Sequence, residues 1–483
     1  MRSALTFSAI LAVAGCTPPP ALPLNVVVIL ADDLGTGDLG AYNAASRIST
    51  PAMDAIAREG VLLTDAHSPS AVCSPTRYSL LTGRYAWRTR LKQGVLWTDD
   101  PALIESDRPT IGSMLQADGY ATAGFGKWHL GLGRGERTDY TDLTQGGPAE
   151  AGFDVYYGIP SSLDIPPYVW IQEDRVEVLA TDSVEASSGR REGGGGFWRA
   201  GPMAPDFRFD KVLDTIGEKA AKYIGTRASQ TDEPFFLYVP LSAPHTPWLP
   251  DSASQGESGA GYYGDFVVHV DAVVGQITKA LDSAGLAENT LLIFTSDNGA
   301  HWTPGDIQEW GHRANGPWRG QKADIWEGGH RVPFIARWPG VIPAGSRSDK
   351  TVSLVDLMST ISAATAVALP ESAGGDSWNV LPALTGSGEI SRGPIVMHSL
   401  RGTFAIREGD WKLIAGLGSG GFSVPATREP GPGEAPGQLY NLGLDPAESQ
   451  NVYAENPEVV ERLAGLLGQY QDEGRSRAQR FNP

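Results

Sequence analysis

Acidic side chains follow two strongly apolar segments of the chain and have the chemistry of a metal site. Asp32 and Asp33 come directly after one apolar run, and Asp297 and Asn298 come directly after another. Either pair alone is also ordinary turn chemistry. Together they offer an all-oxygen set suited to a hard cation such as Ca²⁺ or Mg²⁺, and no histidine or cysteine pairing at zinc-site spacing accompanies them.

Cys73 begins a second segment with distinctive chemistry, C-S-P-T-R. Pro75 near the start and Gly83 beyond the end predict a short helix over residues 74–82, with Cys73 at its amino terminus. The free amide groups and the dipole at such an end favour an anion, and Arg77 returns to the same region one turn later. A buried structural cysteine is the alternative interpretation.

The only other cysteine, Cys16, lies at the end of an apparent export signal. Residues 1–15 contain an apolar run too short to span a bilayer, and the sequence V-A-G-C that ends at Cys16 resembles a bacterial lipobox. We therefore expect a signal peptide over 1–15, lipidation of Cys16 and a proline-rich tether over 16–23, with the protein anchored by lipid in the bacterial cell envelope, periplasmic or at the cell surface. A plain signal peptide that contains a cysteine is the alternative. Cys73 is then unpaired in an oxidising compartment, where a thiol must be buried or chemically used.

Four apolar strand candidates are expected to bring these groups to one place. The candidates span residues 25–30, 121–126, 235–241 and 291–296. Lys127 and His129 follow the second, and His245 follows the third. Helical patterns over 51–59, 210–224 and 266–284 alternate with the strands, which predicts a layered α/β domain. Ligands of open α/β sheets bind beyond the carboxyl ends of the strands, so one shared site is predicted.

The segment over residues 73–77 resembles the signature C-x-P-x-R of the type I, formylglycine-dependent sulfatases of the alkaline phosphatase superfamily. Thr76 stands where serine is commoner. Other family motifs occur in order over about residues 24–345: D-D at 32–33, G-K-W-H-L-G at 126–131, G-I-P-S-S at 158–162, P-H at 244–245, D-N-G at 297–299 and G-Q-K at 320–322. The resemblance implies an alkaline phosphatase-like fold, a large mixed sheet flanked by helices with a smaller C-terminal antiparallel-sheet subdomain.

The resemblance also implies hydrolysis of sulfate esters by a nucleophile made from Cys73. A formylglycine-generating enzyme would convert Cys73 to formylglycine (3-oxoalanine), whose hydrated aldehyde would attack sulfur and later release sulfate. Asp32, Asp33, Asp297, Asn298 and the modified Cys73 would bind Ca²⁺, with Mg²⁺ as the alternative. Asp297 would also help to deprotonate the attacking hydroxyl.

An anionic sulfate ester needs positive groups to hold it, whatever the family. Arg77, Lys127 and Lys322 are expected to do so. His245, assisted by Lys322, is the expected general acid for the leaving oxygen, and His129 is the expected base for the elimination step.

Substrate recognition is expected from side chains around the site. By the resemblance, Ser162 would orient sulfate oxygens. Trp302, His312 and Asn315 lie in an aromatic and polar segment between Asn298 and the lysine at 322, and we predict that they bind substrate. Tryptophan faces stack on sugar rings, which favours a carbohydrate sulfate over a small aryl sulfate, with core packing as the alternative role. A glycine-rich stretch over 186–205 is interpreted as a lid or a linker.

Composition limits the remaining functions and the domain organisation. The chain has 483 residues, is 41% hydrophobic and carries a formal net charge of −18, so nucleic acid is not an expected partner. We predict a catalytic α/β domain over 24–370 and a C-terminal subdomain over 371–483, with strands at 393–398, 403–407 and 411–413 and a helix at 455–471. Two alternative functions stay open, namely a phosphonate or phosphate monoester hydrolase of the same superfamily, and a sulfated-glycan-binding lipoprotein with Cys73 unconverted.

Overall fold

The computed structural model describes residues 23–189, 196–230 and 232–477. The predicted signal peptide, the lipidation site Cys16 and nearly all of the tether lie outside these residues, as do Arg190 and Arg191 of the glycine-rich stretch. Within the described residues, no helix combines the length and the apolar character that crossing a membrane requires.

The described part of the chain contains twenty strands and ten α-helices. The strands are β1 (Asn25–Ala31), β2 (Val61–Leu63), β3 (Ala66–His67), β4 (Ala121–Lys127), β5 (Val155–Ile159), β6 (Ile171–Gln172), β7 (Arg175–Val176), β8 (Asp182–Val184), β9 (Ser187–Ser188), β10 (Phe197–Trp198), β11 (Gly201–Met203), β12 (Phe235–Pro240), β13 (Thr290–Ser296), β14 (Phe334–Arg337), β15 (Ser346–Ser348), β16 (Val352–Ser353), β17 (Ile395–His398), β18 (Phe404–Glu408), β19 (Trp411–Ile414) and β20 (Gln438–Asn441). The helices are α1 (Pro51–Glu59), α2 (Cys73–Thr82), α3 (Ile111–Ala117), α4 (Val212–Arg227), α5 (Gly261–Ser283), α6 (Pro304–Trp310), α7 (Glu327–His330), α8 (Leu357–Thr365), α9 (Leu381–Thr385) and α10 (Pro457–Asp472).

Ten strands form one mixed sheet in the order β15-β2-β14-β13-β1-β12-β4-β5-β6-β7. The central strands β13, β1, β12, β4 and β5 are mutually parallel, and antiparallel pairs flank them on both sides. Every residue of β1 is buried, and alternate residues enter two different cores, one containing Val27 and the other Val28. The predicted strand buried on both faces is therefore confirmed, since helices cover each side of the sheet.

The predicted elements match the structure closely, with local differences at helix ends. Helix α8 is preceded by a 3-10 turn at Leu354–Asp356 and ends at Thr365, because Ala366 adopts a left-handed φ of 60°. The predicted α5 starts five residues earlier than expected, at Gly261.

A separate four-stranded antiparallel sheet, in the order β17-β18-β19-β20, packs with α10 in the C-terminal part of the chain. Its fourth strand, β20, was not predicted. With it, the expected architecture of a large mixed sheet flanked by helices and a small C-terminal antiparallel sheet is confirmed.

Candidate active site

The carboxyl ends of four neighbouring strands meet at one edge of the large sheet. Asp32 follows β1, Lys127 is the last residue of β4, His245 lies five residues beyond β12, and Asp297 follows β13. Because β13, β1, β12 and β4 are parallel neighbours, their ends converge on one site.

A buried cluster of potential metal ligands occupies this edge. Asp32, Asp33, Cys73 and His245 each place one ligand atom within 4.8 Å of the others. Asp297 joins the cluster, since its Oδ1 accepts a hydrogen bond of 3.2 Å from the backbone amide of Asp33. The predicted ligand residues therefore lie together.

Asn298 completes the oxygen set. Its Nδ2 donates to Asp33 Oδ1 at 2.7 Å, while its Oδ1 is buried and has no hydrogen-bond partner among the residues that the structure describes. A buried amide oxygen without a partner is costly. An amide oxygen beside three carboxylates thus fits a hard cation with oxygen ligands.

Buried lysines compensate the charge of two of these carboxylates. Lys127 Nζ lies 2.6 Å from Asp32 Oδ2, and Lys322 Nζ lies 2.8 Å from Asp33 Oδ2 and 3.7 Å from Cys73 Sγ. Burial opposes ionisation of Asp32, but Lys127 and the other cations nearby hold the pKa of Asp32 well below its usual value. The Asp32 carboxylate is therefore ionised and able to bind a cation.

Arg77 contacts a carboxylate of the site, a role that was not predicted. Its Nε and Nη2 donate to Asp297 Oδ2 at 2.9 and 2.8 Å, and its Nη1 donates to the carbonyl of Lys127 at 3.0 Å. The side chain is fully buried. These three bonds show that Arg77 positions Asp297. They use three of the five guanidinium N–H groups, and the predicted role of Arg77 in holding sulfate stays a prediction.

Cys73 is the first residue of α2 and is buried with the rest of that helix. Its Sγ lies 3.5 Å from Asp32 Oδ1. Burial raises the pKa of the Cys73 thiol despite the nearby lysines. An unmodified thiol here stays protonated and is a poor nucleophile, because the thiolate is the reactive form.

The two histidines have opposite hydrogen-bond arrangements. His245 Nδ1 lies 2.7 Å from the carbonyl of Thr246 and so carries a proton, and its Nε2 lies 3.8 Å from Asp33 Oδ2. His129 Nε2 lies 2.9 Å from the carbonyl of Leu96, which leaves Nδ1 as the acceptor; this atom is buried without a partner among the described residues. Burial, with Lys127 nearby, holds the pKa of His129 well below its usual value.

Three predicted substrate contacts are wrong. Trp302 is buried against Tyr263 and donates through Nε1 to the carbonyl of His312. His312 Nε2 lies 2.8 Å from Asp38 Oδ1, and the His312 side chain is fully buried. Asn315 bonds both backbone groups of Ala300. These bonds stabilise the segment after β13. His312 Nδ1 has no partner among the described residues, but it is buried with the rest of its side chain.

Two residues that were not predicted, Asp164 and Arg199, lie near the site beside the predicted Ser162. Ser162 is buried just after β5, and Asp164, two residues later, lies 4.0 Å from His245 Nδ1 through its Oδ1. Asp164 also pairs with Arg199, at 2.6 Å. Asp164 could have been found from the sequence, because it lies two residues after Ser162. Arg199 lies in the glycine-rich stretch over 186–205, whose sequence favours a lid or a linker and gives no sign of a contact to Asp164.

Comparisons with known proteins agree with this geometry. The family model "Sulfatase" matches residues 24–367. An N-acetylgalactosamine-6-O-sulfatase of Bacteroides thetaiotaomicron is 34% identical over 92% of both chains, and human arylsulfatase A is 32% identical over 92% of this chain and 87% of its own.

Solved structures share the fold as well. A Bacteroides thetaiotaomicron sulfatase structure, determined in work on the metabolism of multiple glycosaminoglycans, superposes with a TM-score of 0.82 and 32% identity over 94% of this chain and all of its own. The structure of Ps i-CgsB in complex with k-i-k-neocarrahexaose has a TM-score of 0.73 and 25% identity over 94% of each chain. The chain therefore belongs to the type I sulfatase family of the alkaline phosphatase superfamily, and its reaction is the hydrolysis of sulfate esters.

Proposed function

We propose that this sulfatase acts on carbohydrate sulfates, with a formylglycine made from Cys73 and a Ca²⁺ ion bound beside it. The observation that carries the proposal is the environment of Cys73. A buried thiol of raised pKa is unsuited to attack as a thiolate, yet Cys73 Sγ lies 3.5 Å from Asp32 and 3.7 Å from Lys322. These neighbours suit an oxygen nucleophile attacking an anionic ester.

Asp32, Asp33, Asp297 and Asn298 would hold the cation, together with the modified Cys73. When bound, a divalent cation supplies positive charge to the nucleophile and to the sulfate oxygens. Ca²⁺ is favoured by the number of oxygen ligands, with Mg²⁺ as the alternative. Arg77 orients Asp297 in this set through two hydrogen bonds.

The chain's own side chains supply the remaining steps. Lys322 and Lys127 hold the anionic ester from the side of Asp33 and Asp32. His245 acts in its doubly protonated form: its Nε2 gives a proton to the leaving alcohol oxygen, while the Nδ1 proton stays bonded to the Thr246 carbonyl. Because burial and Lys322 lower the pKa of His245, this form is the minor one and the step is favoured at lower pH. His129 accepts a proton on Nδ1 during sulfate release, since its Nε2 is held by Leu96. Ser162 is proposed to orient sulfate oxygens.

A carbohydrate substrate is supported by relatives. The N-acetylgalactosamine-6-O-sulfatase is similar to this chain over nearly its whole length, and Ps i-CgsB has been solved with a neocarrahexaose. The sequence argument from Trp302 no longer supports this substrate, because that ring packs in the core.

Peptide mass spectrometry of the segment containing residue 73, from protein made in its native host, tests the nucleophile. Replacing CH₂SH by CHO should lower the peptide mass by about 18 Da. An intact thiol in active protein would contradict the proposal. Matched sulfate and phosphate esters of the same sugars then test the substrate, and faster hydrolysis of the phosphate esters would favour the alternative monoester hydrolase.

We also propose that the protein is exported and anchored through lipid on Cys16. The support is the lipobox-like sequence V-A-G-C before a proline-rich tether.

A further inference from the structure

An exposed aromatic residue and an exposed arginine lie together beside the proposed site. Trp97 is 48% exposed, and the guanidinium carbon of Arg199 lies 5.2 Å from its ring centroid. A single exposed indole is common on protein surfaces, and this one is distinguished by the arginine beside it and by its place near the site.

The pair is adjacent to both histidines of the site. The carbonyl of Leu96, the residue before Trp97, bonds His129 Nε2 at 2.9 Å. On the other side, Arg199 Nη1 donates to Asp164 Oδ2 at 2.6 Å, and Asp164 Oδ1 lies 4.0 Å from His245 Nδ1. Trp97 is therefore one residue away from a contact to His129, and Arg199 is one side chain away from His245.

Both residues are held in place by backbone contacts. The amide of Trp97 donates to Asp100 Oδ2 at 2.6 Å, and the hydroxyl of Tyr168 donates to the carbonyl of Arg199 at 2.7 Å. A second bond from Arg199 Nη1, to the carbonyl of Asp164 at 3.1 Å, fixes the guanidinium. A preorganised side chain loses little entropy when a ligand binds.

Unused hydrogen-bonding groups point to a ligand. Arg199 is 40% exposed along its side chain, and its Nε and Nη2 make no hydrogen bond to any described residue. Asp164 Oδ1 is buried and has no hydrogen-bond partner within the described ranges. A buried oxygen without a partner is costly, so a hydroxyl or N–H group of a ligand would satisfy it.

The chemistry of the pair selects the ligand class. An indole offers a flat apolar face to a sugar ring. A guanidinium is a planar fork of donors that matches carboxylate or sulfate. In a chain with a net charge of −18, a local cation is needed to attract an anionic substrate.

We propose that Trp97 and Arg199 form a subsite for the saccharide that carries the reacting sulfate. Trp97 stacks on a sugar ring, and Arg199 binds a second anionic group of that saccharide, either a carboxylate or another sulfate. The inference rests on the proposed carbohydrate sulfatase function and adds that the substrate is an acidic saccharide.

The test compares kcat/KM for three forms of one sulfated disaccharide: with a uronic acid carboxylate, with that carboxyl reduced to the alcohol, and with a second sulfate on the reduced form. For the wild type we expect a preference for one or both acidic forms over the alcohol. Arg199→Ala should lower this preference by about 10- to 100-fold, since a hydrogen bond to a charged group is lost. The acidic form that loses its advantage identifies the group that Arg199 binds.

Three further variants separate the roles. Arg199→Lys keeps the charge and should recover part of the preference. Trp97→Ala should lower kcat/KM for all three forms by a similar factor, because every form keeps the sugar ring. Arg208→Ala removes an exposed arginine that pairs with Asp210 and should keep the wild-type preference.

A wild type without preference for acidic forms, or an equal loss on acidic and neutral forms in Arg199→Ala, would overturn the subsite. Calorimetric binding of an unsulfated uronic acid oligosaccharide to the Cys73→Ala protein separates this failure from failure of the proposed function. If Arg199→Ala, added to the Cys73→Ala protein, weakens the binding of this oligosaccharide, the subsite is supported even if no carbohydrate sulfate is hydrolysed. Binding that Arg199→Ala does not weaken would count against it.

Discussion

Three buried carboxylates of the site each face a different cation. Asp32 pairs with Lys127, Asp33 with Lys322 and Asp297 with Arg77. The pairs keep the site close to neutral before a metal and a substrate bind, which limits the cost of burying so many charges. Lys322 also lies 3.7 Å from Cys73 Sγ. Arg77 contacts the Asp297 carboxylate and the carbonyl of Lys127.

At Cys73 we predict that Cys73→Ala abolishes sulfate release while the fold and metal content persist. Alanine removes the group that becomes the nucleophile and leaves the four oxygen ligands of the cation in place. Sulfate release, far-ultraviolet circular dichroism and bound metal per chain would be measured. Near-wild-type turnover in this variant would refute the proposed nucleophile.

For Arg77 we predict that Arg77→Lys lowers kcat by about 10- to 100-fold and leaves KM for a small sulfate ester nearly constant. Lysine cannot reproduce the two bonds to Asp297, and each charged hydrogen bond is worth about 1.5–3 kcal/mol. Steady-state kinetics decide the point. A rise in KM at constant kcat would mean that Arg77 binds the ester directly.

The C-terminal part of the chain fixes the segment that carries Lys322. The amide of Ile325 donates to the Ser419 carbonyl at 2.7 Å, and Asp324 Oδ1 accepts from the amides of Phe422 and Ser423. Lys412 on β19 contacts Glu327 and Glu448 at 3.0 and 2.8 Å and is fully buried. The small sheet therefore supports the site without contributing a ligand to the cluster.

We predict that Lys412→Met lowers the free energy of unfolding by about 3–5 kcal/mol, because the carboxylates of Glu327 and Glu448 lose the cation between them. Chemical unfolding would measure the loss. Lys350→Met is the matched control, since its pair with Glu389 is exposed and contributes little to stability. Equal effects of the two substitutions would show that the buried network adds no special stability.

At the scale of the molecule, the charge balance makes the metal important. The chain carries a net charge of −18, and some of its carboxylates lie at the point where an anion must bind. We predict that exhaustive chelation stops sulfate release and that Ca²⁺ restores it more fully than Mg²⁺. Activity that persists with less than one metal ion per chain would contradict a metal-dependent site.

The proposed lipid on Cys16 would decide where the whole molecule resides. If Cys16 is lipidated, protein from the native host should fractionate with membranes and begin at a modified Cys16 by intact mass. Cys16→Ser should release it into the soluble fraction with its catalytic rate unaltered, because the catalytic cluster starts at Asp32. A mature protein with a free amino terminus at another residue would rule out the anchor.

Much of the fold was predictable because the strong signals are local. The continuous apolar runs at β1, β12 and β13 indicate strands buried on both faces, and Pro75 and Gly83 delimit α2. Strand β20, Gln438–Asn441, was missed because only its two central residues are apolar or aromatic and because it follows a stretch rich in proline and glycine.

The sequence alone determined the family, the α/β class, the residue at the nucleophile position and the oxygen set beside it, because motif order and strand ends are local properties of the chain. Only the tertiary structure decided what each polar or aromatic side chain contacts. Arg77 meets Asp297 across 220 positions of sequence, and Trp302 enters the core while Trp97 stays exposed. An indole suits a core as well as a sugar, and a guanidinium suits a carboxylate as well as a sulfate, so residue type cannot distinguish these roles.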